Sequence, residues 1–135
     1  MFIKVGSRVN VEKYLNHLRV EILMNLLFIC NQNKHRSPTA AELFAHDYNT
    51  RSRGLYGGTL VRLDDIHWAD CIMVMDHEQR IELLRRLPPA GLKRLLTLHI
   101  DDTYTYQSKE LIALLRRKMA SLATDGLVPA LRPNP

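Results

Sequence analysis

Met24-Asn25-Leu26-Leu27-Phe28-Ile29-Cys30-Asn31-Gln32-Asn33-Lys34-His35-Arg36-Ser37-Pro38 carries three structural signals in succession. The apolar run ending at Cys30 is short and unbroken, as expected of a strand buried on both faces of a parallel sheet. The polar stretch 31–36 reads as a loop. Ser37-Pro38-Thr39-Ala40-Ala41-Glu42-Leu43-Phe44-Ala45 then has a hydroxyl cap candidate, a proline in the first turn and a following acid, which predicts a helix start. Cys30 and Arg36 therefore face each other across a strand–loop–helix corner, with five residues between them.

Such a corner suits a phosphoryl group, which needs backbone N–H donors, a positive helix end and a cation shaped for its oxygens. The amides of Asn31, Gln32, Asn33, Lys34 and His35 can surround the anion. Arg36 offers a planar bidentate fork that a lysine lacks. Positive charge and a helix N-terminus also favour the thiolate form of Cys30, which is the nucleophilic form. Ser37 can donate to that thiolate and stabilise it as a leaving group, or serve simply as a helix cap.

The strand–loop–helix pattern recurs along the chain. A short strand is expected near 50–53, with Gly54, Gly57 and Gly58 marking a flexible connection after it. Asp70 to Asp76 is a second buried-strand pattern, followed by a helix over His77 to Leu87 that Pro88-Pro89 terminates. Leu95 to Ile100 gives another strand, Asp101 to Ser108 a polar loop, and Glu110 to Leu122 a closing helix. Trp68 and Ile66 are expected to pack a helix onto the sheet, and Cys71 to be a core residue. Alternating strands and helices imply a parallel sheet covered on both faces, with ligands bound beyond the carboxyl ends of the strands. Cys30 and the Asp101-Asp102 pair fall at that rim.

Residues 9–23 have the periodicity of an amphipathic helix, through Val11, Tyr14, Leu15, Leu18 and Ile22. The organisation read from the sequence is an N-terminal helical extension over 1–23, one domain over 24–124 and a frayed tail over 125–135. Charges interrupt the N-terminal region, which argues against a signal peptide or membrane span. Two cysteines among 135 residues are too few for a disulfide framework and fit a reducing, cytoplasmic compartment. The net charge of +5 favours anionic partners without choosing among them. The basic residues Arg80, Arg85, Arg86, Lys93, Arg94, Arg116, Arg117 and Lys118 accompany no nucleic-acid-binding motif, so a nucleic-acid role is not expected. The six histidines fall on separate elements without paired ligand spacing, so no metal site is expected.

Cys30, five intervening residues and Arg36-Ser37-Pro38, following the strand Leu26-Leu27-Phe28-Ile29, resemble the low-molecular-weight protein tyrosine phosphatases. The resemblance runs from about Met24 to Leu122 and includes Ser52-Arg53-Gly54, Trp68-Ala69-Asp70 and Met75-Asp76. It implies a four-stranded parallel sheet of flavodoxin-like form with helices on both faces. It also implies a phosphocysteine intermediate, no cofactor, and a general-acid aspartate on a loop near the C-terminus. Asp102, in Asp101-Asp102-Thr103-Tyr104, matches the family's Asp-Pro-Tyr pattern apart from the proline, and Asp101 is the alternative acid. The family's first strand begins at the N-terminus, so translation starting at Met24 is a further expectation. Phosphotyrosine proteins or small aryl phosphates are the implied substrates, with inorganic phosphate or another oxyanion binding at the loop.

Tyr104 and Tyr106 could wall the pocket or pack against the sheet edge. Asn33 is expected to hold the loop's shape, since asparagine tolerates a left-handed backbone. Two departures from the family weigh on activity. Gln32 stands where glycine is common, which predicts strain, and His35 replaces a frequent second cysteine that would protect Cys30 as a disulfide. A phosphate- or phosphopeptide-binding module without turnover is therefore the alternative. Arsenate reduction ranks third, because it needs further cysteines and only Cys71 exists.

Overall fold

A computed structural model of the protein describes residues 23–131. The N-terminal helix expected over 9–23, and with it the extension over 1–23, lies outside the described residues apart from Leu23. Four strands alternate with helices: β1 (Asn25–Cys30), α1 (Arg36–Leu43), β2 (Asn49–Gly54), α2 (Leu63–Trp68), β3 (Cys71–Val74), α3 (His77–Arg86), β4 (Arg94–Thr97) and α4 (Lys109–Thr124). A 3-10 turn over Pro88–Leu92 follows α3, where the paired prolines stop it.

All strand pairs are parallel and the sheet order is β2-β1-β3-β4. The order reverses beside β1, so the crevice at the carboxyl end of β1 is the expected place for a ligand. Alternate residues of β1 serve opposite faces, as the period of two requires. Leu26 and Phe28 pack with Phe44, Tyr48, Leu111, Leu115 and Met119 on the α1/α4 side. Leu27 and Ile29 pack with Leu55, Ile66, Leu83 and Ala90 on the α2/α3 side. Phe28 and Phe44 stack with ring centroids 6.1 Å apart. Burial on both faces is why β1 reads as continuous apolar sequence.

Strand β2, by contrast, is a half-buried edge strand. Its arginines converge on the buried Asp65, which accepts from Arg51 and Arg53 at 3.2 Å and from the Arg62 amide at 3.0 Å. The Arg51 guanidinium also lies 4.2 Å from the Trp68 ring centre, so α2 is fastened to the sheet by polar as well as apolar contacts.

The tail is docked through residue 131, contrary to the frayed tail expected from its composition. Val128 is buried against the α1/α4 core, Tyr48 Oη donates to the Pro129 carbonyl at 2.6 Å, and Arg94 donates to the Leu127 carbonyl at 2.6 Å. Other basic residues are similarly engaged with neighbouring groups. Arg80 donates to the Leu95 carbonyl, Arg86 to the Leu55 carbonyl, Lys93 to the carbonyls of His67 and Ala69, and Arg85 pairs with Glu82. No helix among the described residues is long and apolar enough to cross a membrane.

Burial pushes the Cys71 thiol up from its ordinary 9.0 to about 12, and the Tyr48 phenol from 10.0 to about 12. Both raised values mean that the fold favours the neutral forms. Their contribution is complete below the ordinary values and is lost as pH rises toward about 12. Urea unfolding midpoints are therefore expected to fall across that alkaline window. Cys71→Val should remove the thiol's share of the fall; an unchanged slope in that variant would show that Cys71 does not contribute.

Candidate active site

Cys30 ends β1, buried, with its Sγ 3.0 Å from Ser37 Oγ in the first turn of α1. Ser37 Oγ also lies 3.0 Å from Asn33 Oδ1 and 3.3 Å from the Arg53 carbonyl. A hydroxyl has one proton, so these acceptors compete for it, and a thiolate at Cys30 is the strongest claimant because its charge strengthens the bond. Ser37 is not the helix cap. His35 holds that position without a side-chain capping bond, which leaves the Ser37 hydroxyl to Cys30 and the loop.

The loop is held from beneath by backbone and side chains together. The Leu55 and Tyr56 amides donate to the carbonyls of Cys30 and Asn31 at 3.0 and 2.8 Å. Asn33 takes a left-handed conformation, φ 54°, which an asparagine accommodates at modest cost. Gln32 is not among the residues with positive φ, so the strain expected from a residue other than glycine does not arise there. The room its side chain needs comes from the opposite segment instead. A Cβ on Gly57 would lie 2.0 Å from Gln32 Oε1, and one on Gly58 would lie 2.7 Å from the Gln32 carbonyl oxygen.

Arg36 is 1% exposed, an unusual burial for a permanent charge. Its Nη1 donates to the Ile100 carbonyl at 2.9 Å and lies 3.6 Å from Asp76 Oδ2. Its Nη2 lies 3.5 Å from Asp102 Oδ1. Its Nε is buried without a hydrogen-bond partner. Cys30, Gln32, Lys34, His35, Arg36 and Asp102 line one cavity of about 300 Å³. A cysteine sulfur, an arginine guanidinium and a carboxylate thus share a space large enough for a phosphate.

No protein-family model and no curated protein matches the chain by sequence. Solved structures do match it. The tyrosine phosphatase Wzb from Escherichia coli, in complex with phosphate, superposes with a TM-score of 0.62 at 20% identity, covering 77% of this chain and 99% of that one. The arginine phosphatase YwlE from Geobacillus stearothermophilus gives 0.58 at 19% identity over 82% and 99%. A low-molecular-weight protein tyrosine phosphatase from T. tengcongensis gives 0.57 at 18% identity over 70% and 92%. The fold is that of the low-molecular-weight phosphatases.

Within that phosphatase fold, Asp102 reaches the cavity and the exposed Asp101 is not among its lining residues. The tyrosines do not wall the cavity. Tyr104 is half-buried against the α1/α4 core, and Tyr106 turns its hydroxyl to Glu42 of α1 at 2.8 Å. Asn31 contributes its backbone to the loop while its side-chain oxygen accepts from Gln79 Nε2 at 3.0 Å.

Gln79 and Asp76 belong to this site although sequence reasoning did not single them out. Gln79 is buried, and its Oε1 accepts from the Met75 amide at 2.6 Å, so one side chain ties the end of β3 to the loop. Asp76 caps α3 by accepting from the Gln79 amide at 2.8 Å. The Asp76-His77-Glu78-Gln79 spacing is a capping-box signature, and Asp76 follows a strand's carboxyl end; both signals were available.

Cys71 pairs in register with Leu26, four residues before Cys30 on β1. At about 3.3 Å per residue the two cysteines are about 13 Å apart along the strands, too far for a disulfide. Among the described residues no group of three or more His, Cys, Asp and Glu side chains is placed to hold a metal ion.

Proposed function

We propose that this chain is a cysteine-dependent phosphomonoester hydrolase of the low-molecular-weight protein tyrosine phosphatase type. The observation that carries the proposal is the buried Arg36 guanidinium, with its unpartnered Nε, in the same cavity as a Cys30 sulfur hydrogen-bonded to Ser37. A buried donor without a partner is costly unless a ligand completes it. The solved structure of Wzb in complex with phosphate, which shares this fold, agrees with an oxyanion as that ligand.

In the proposed reaction the Cys30 thiolate attacks phosphorus and the P–O bond to the alcohol breaks. Asp102, protonated, gives its proton to the departing oxygen. Amides 31–36 and Arg36 hold the equatorial oxygens, where charge develops. Asp102 then takes a proton from water, whose oxygen attacks phosphorus and releases the thiolate to the Ser37 hydrogen bond. Inorganic phosphate leaves.

The substrates proposed are phosphotyrosine proteins and small aryl phosphates. Among the described residues no Phe, Tyr or Trp side chain lines the cavity, so recognition rests on the phosphate and on Gln32, Lys34 and His35 at the mouth. The two free thiols fit a cytoplasmic setting.

A general acid matters most when the leaving group is poor. Asp102→Ala is expected to slow phenyl phosphate hydrolysis by about a hundredfold, with a much smaller effect on p-nitrophenyl phosphate. Asp101→Ala should change neither. Equal losses on the two esters, or a larger effect from Asp101→Ala, would remove Asp102 from the acid's role.

A further inference from the structure

Loop 101–108, which carries Asp102, is anchored differently at its two ends. At the near end, Ile100 donates its amide to the Met75 carbonyl at 2.9 Å and accepts from Arg36 at 2.9 Å. At the far end the anchor is a stripe on α1. His35, Thr39 and Glu42 are spaced by four and three residues, which places them on one face of the helical segment. His35 Nδ1 accepts from the Tyr106 amide at 3.0 Å, and Thr39 Oγ1 accepts from the Gln107 amide at 3.0 Å. Glu42 uses both oxygens: Oε1 accepts from Tyr106 Oη at 2.8 Å, and Oε2 from Gln107 Nε2 at 3.0 Å.

These bonds hold a conformation that the chain does not favour by itself. His99 and Gln107 bracket the loop at φ 55° and φ 60°, in the left-handed region that is costly for side-chain-bearing residues. Such residues persist only where their surroundings over-determine them. At Gln107 the surroundings are Thr39, which takes its amide, and Glu42, which takes its side chain. Thr39 is itself fixed, buried and donating to the His35 carbonyl at 2.7 Å.

We propose that the His35–Thr39–Glu42 stripe is a latch that positions the general acid, with Glu42 as its principal positioning residue. This rests on the phosphatase reading above. Glu42 touches neither the cavity nor the reacting atoms. It acts through Tyr106 and Gln107 on the placement of Asp102, and so on proton delivery to the leaving oxygen. The Cys30–Ser37 pair lies on other contacts, and Arg36 keeps its bond to the Ile100 carbonyl at the loop's near end, so attack on phosphorus is left intact.

The test compares turnover of phenyl phosphate and p-nitrophenyl phosphate in wild type, Glu42→Ala, Glu42→Gln, Tyr106→Phe and Asp102→Ala, with amide exchange at residues 106 and 107 followed in each. Glu42→Ala should lose about tenfold on phenyl phosphate and little on p-nitrophenyl phosphate. Amide exchange at 106 and 107 should accelerate, and Glu42→Gln, which keeps one acceptor oxygen, should recover much of the loss. Tyr106→Phe, which removes a single bond from the other side, should show the same selectivity in smaller degree and covers the case in which Glu42→Ala does not fold. Leaving-group selectivity in Asp102→Ala but in neither latch variant would overturn the latch alone. A wild type without turnover of either ester would overturn the phosphatase reading, and the positioning role with it.

Discussion

Cys30→Ser is expected to abolish turnover while leaving phosphate binding in place. Serine keeps the shape of the side chain and a hydrogen-bonding partner for Ser37 Oγ, which lies 3.0 Å from Cys30 Sγ in the wild type. It cannot supply a thiolate, and a serine hydroxyl is a far weaker nucleophile at neutral pH. The expected loss is about three orders of magnitude or more, because the covalent step itself is removed. Arg36 and the loop amides remain, so inorganic phosphate should still bind. Acid-quenched wild type should carry a phosphoryl group on Cys30 by mass spectrometry, and the variant none. Retained turnover would place the nucleophile elsewhere. An inert wild type that still binds phosphate would establish the alternative reading, a binding module that keeps the loop for its shape.

Arg36→Lys is expected to lose activity and stability together, although charge is conserved. The guanidinium makes a bond to the Ile100 carbonyl, lies near Asp76 and Asp102, and has a buried Nε without a hydrogen-bond partner. One ammonium cannot reproduce that planar set of directions. Removing a single donor from a developing oxyanion commonly costs about 10² to 10³ in kcat, and a similar loss is expected here. A buried lysine would also leave the Ile100 carbonyl without its donor, at about 1–3 kcal/mol. Steady-state kinetics with the aryl esters and a urea titration separate the two effects. Activity within a few fold of wild type would show that the fork geometry is not used.

Both variants address residues that were legible in the sequence, and the reason is local. Cys30 and Arg36 lie on one short strand–loop–helix segment, so covalent spacing alone brings them together. The parallel sheet was legible on similar grounds, because strands buried on both faces must be apolar throughout, as Leu26 to Ile29 and Ile72 to Val74 are. The edge strand β2 carried a weaker signal, since most of its residues are polar and only half-buried.

Other parts of the site depend on segments far apart in the chain. Gln32 looked strained because glycine is common there in the resembling family, whereas its room comes from the glycines Gly57 and Gly58, far along the chain, packed against it. Whether Tyr104 and Tyr106 wall the pocket or pack against the sheet edge was open in the sequence. A loop's course decides where side chains point, and this one turns Tyr106 to Glu42, 64 residues away. The tail from Asp125 was expected to fray, yet Tyr48 and Arg94 supply the partners that dock its described residues, 125–131.

The sequence by itself determined the loop between Cys30 and Arg36, and the order of strands and helices, because each is written in neighbouring residues and simple periodicity. Only the tertiary structure decided which aspartate faces the cavity, which residues brace the loop and what holds the far end of the segment that carries Asp102. Those depend on hydrogen bonds between residues tens of positions apart, and such contacts come into being only when the sheet assembles.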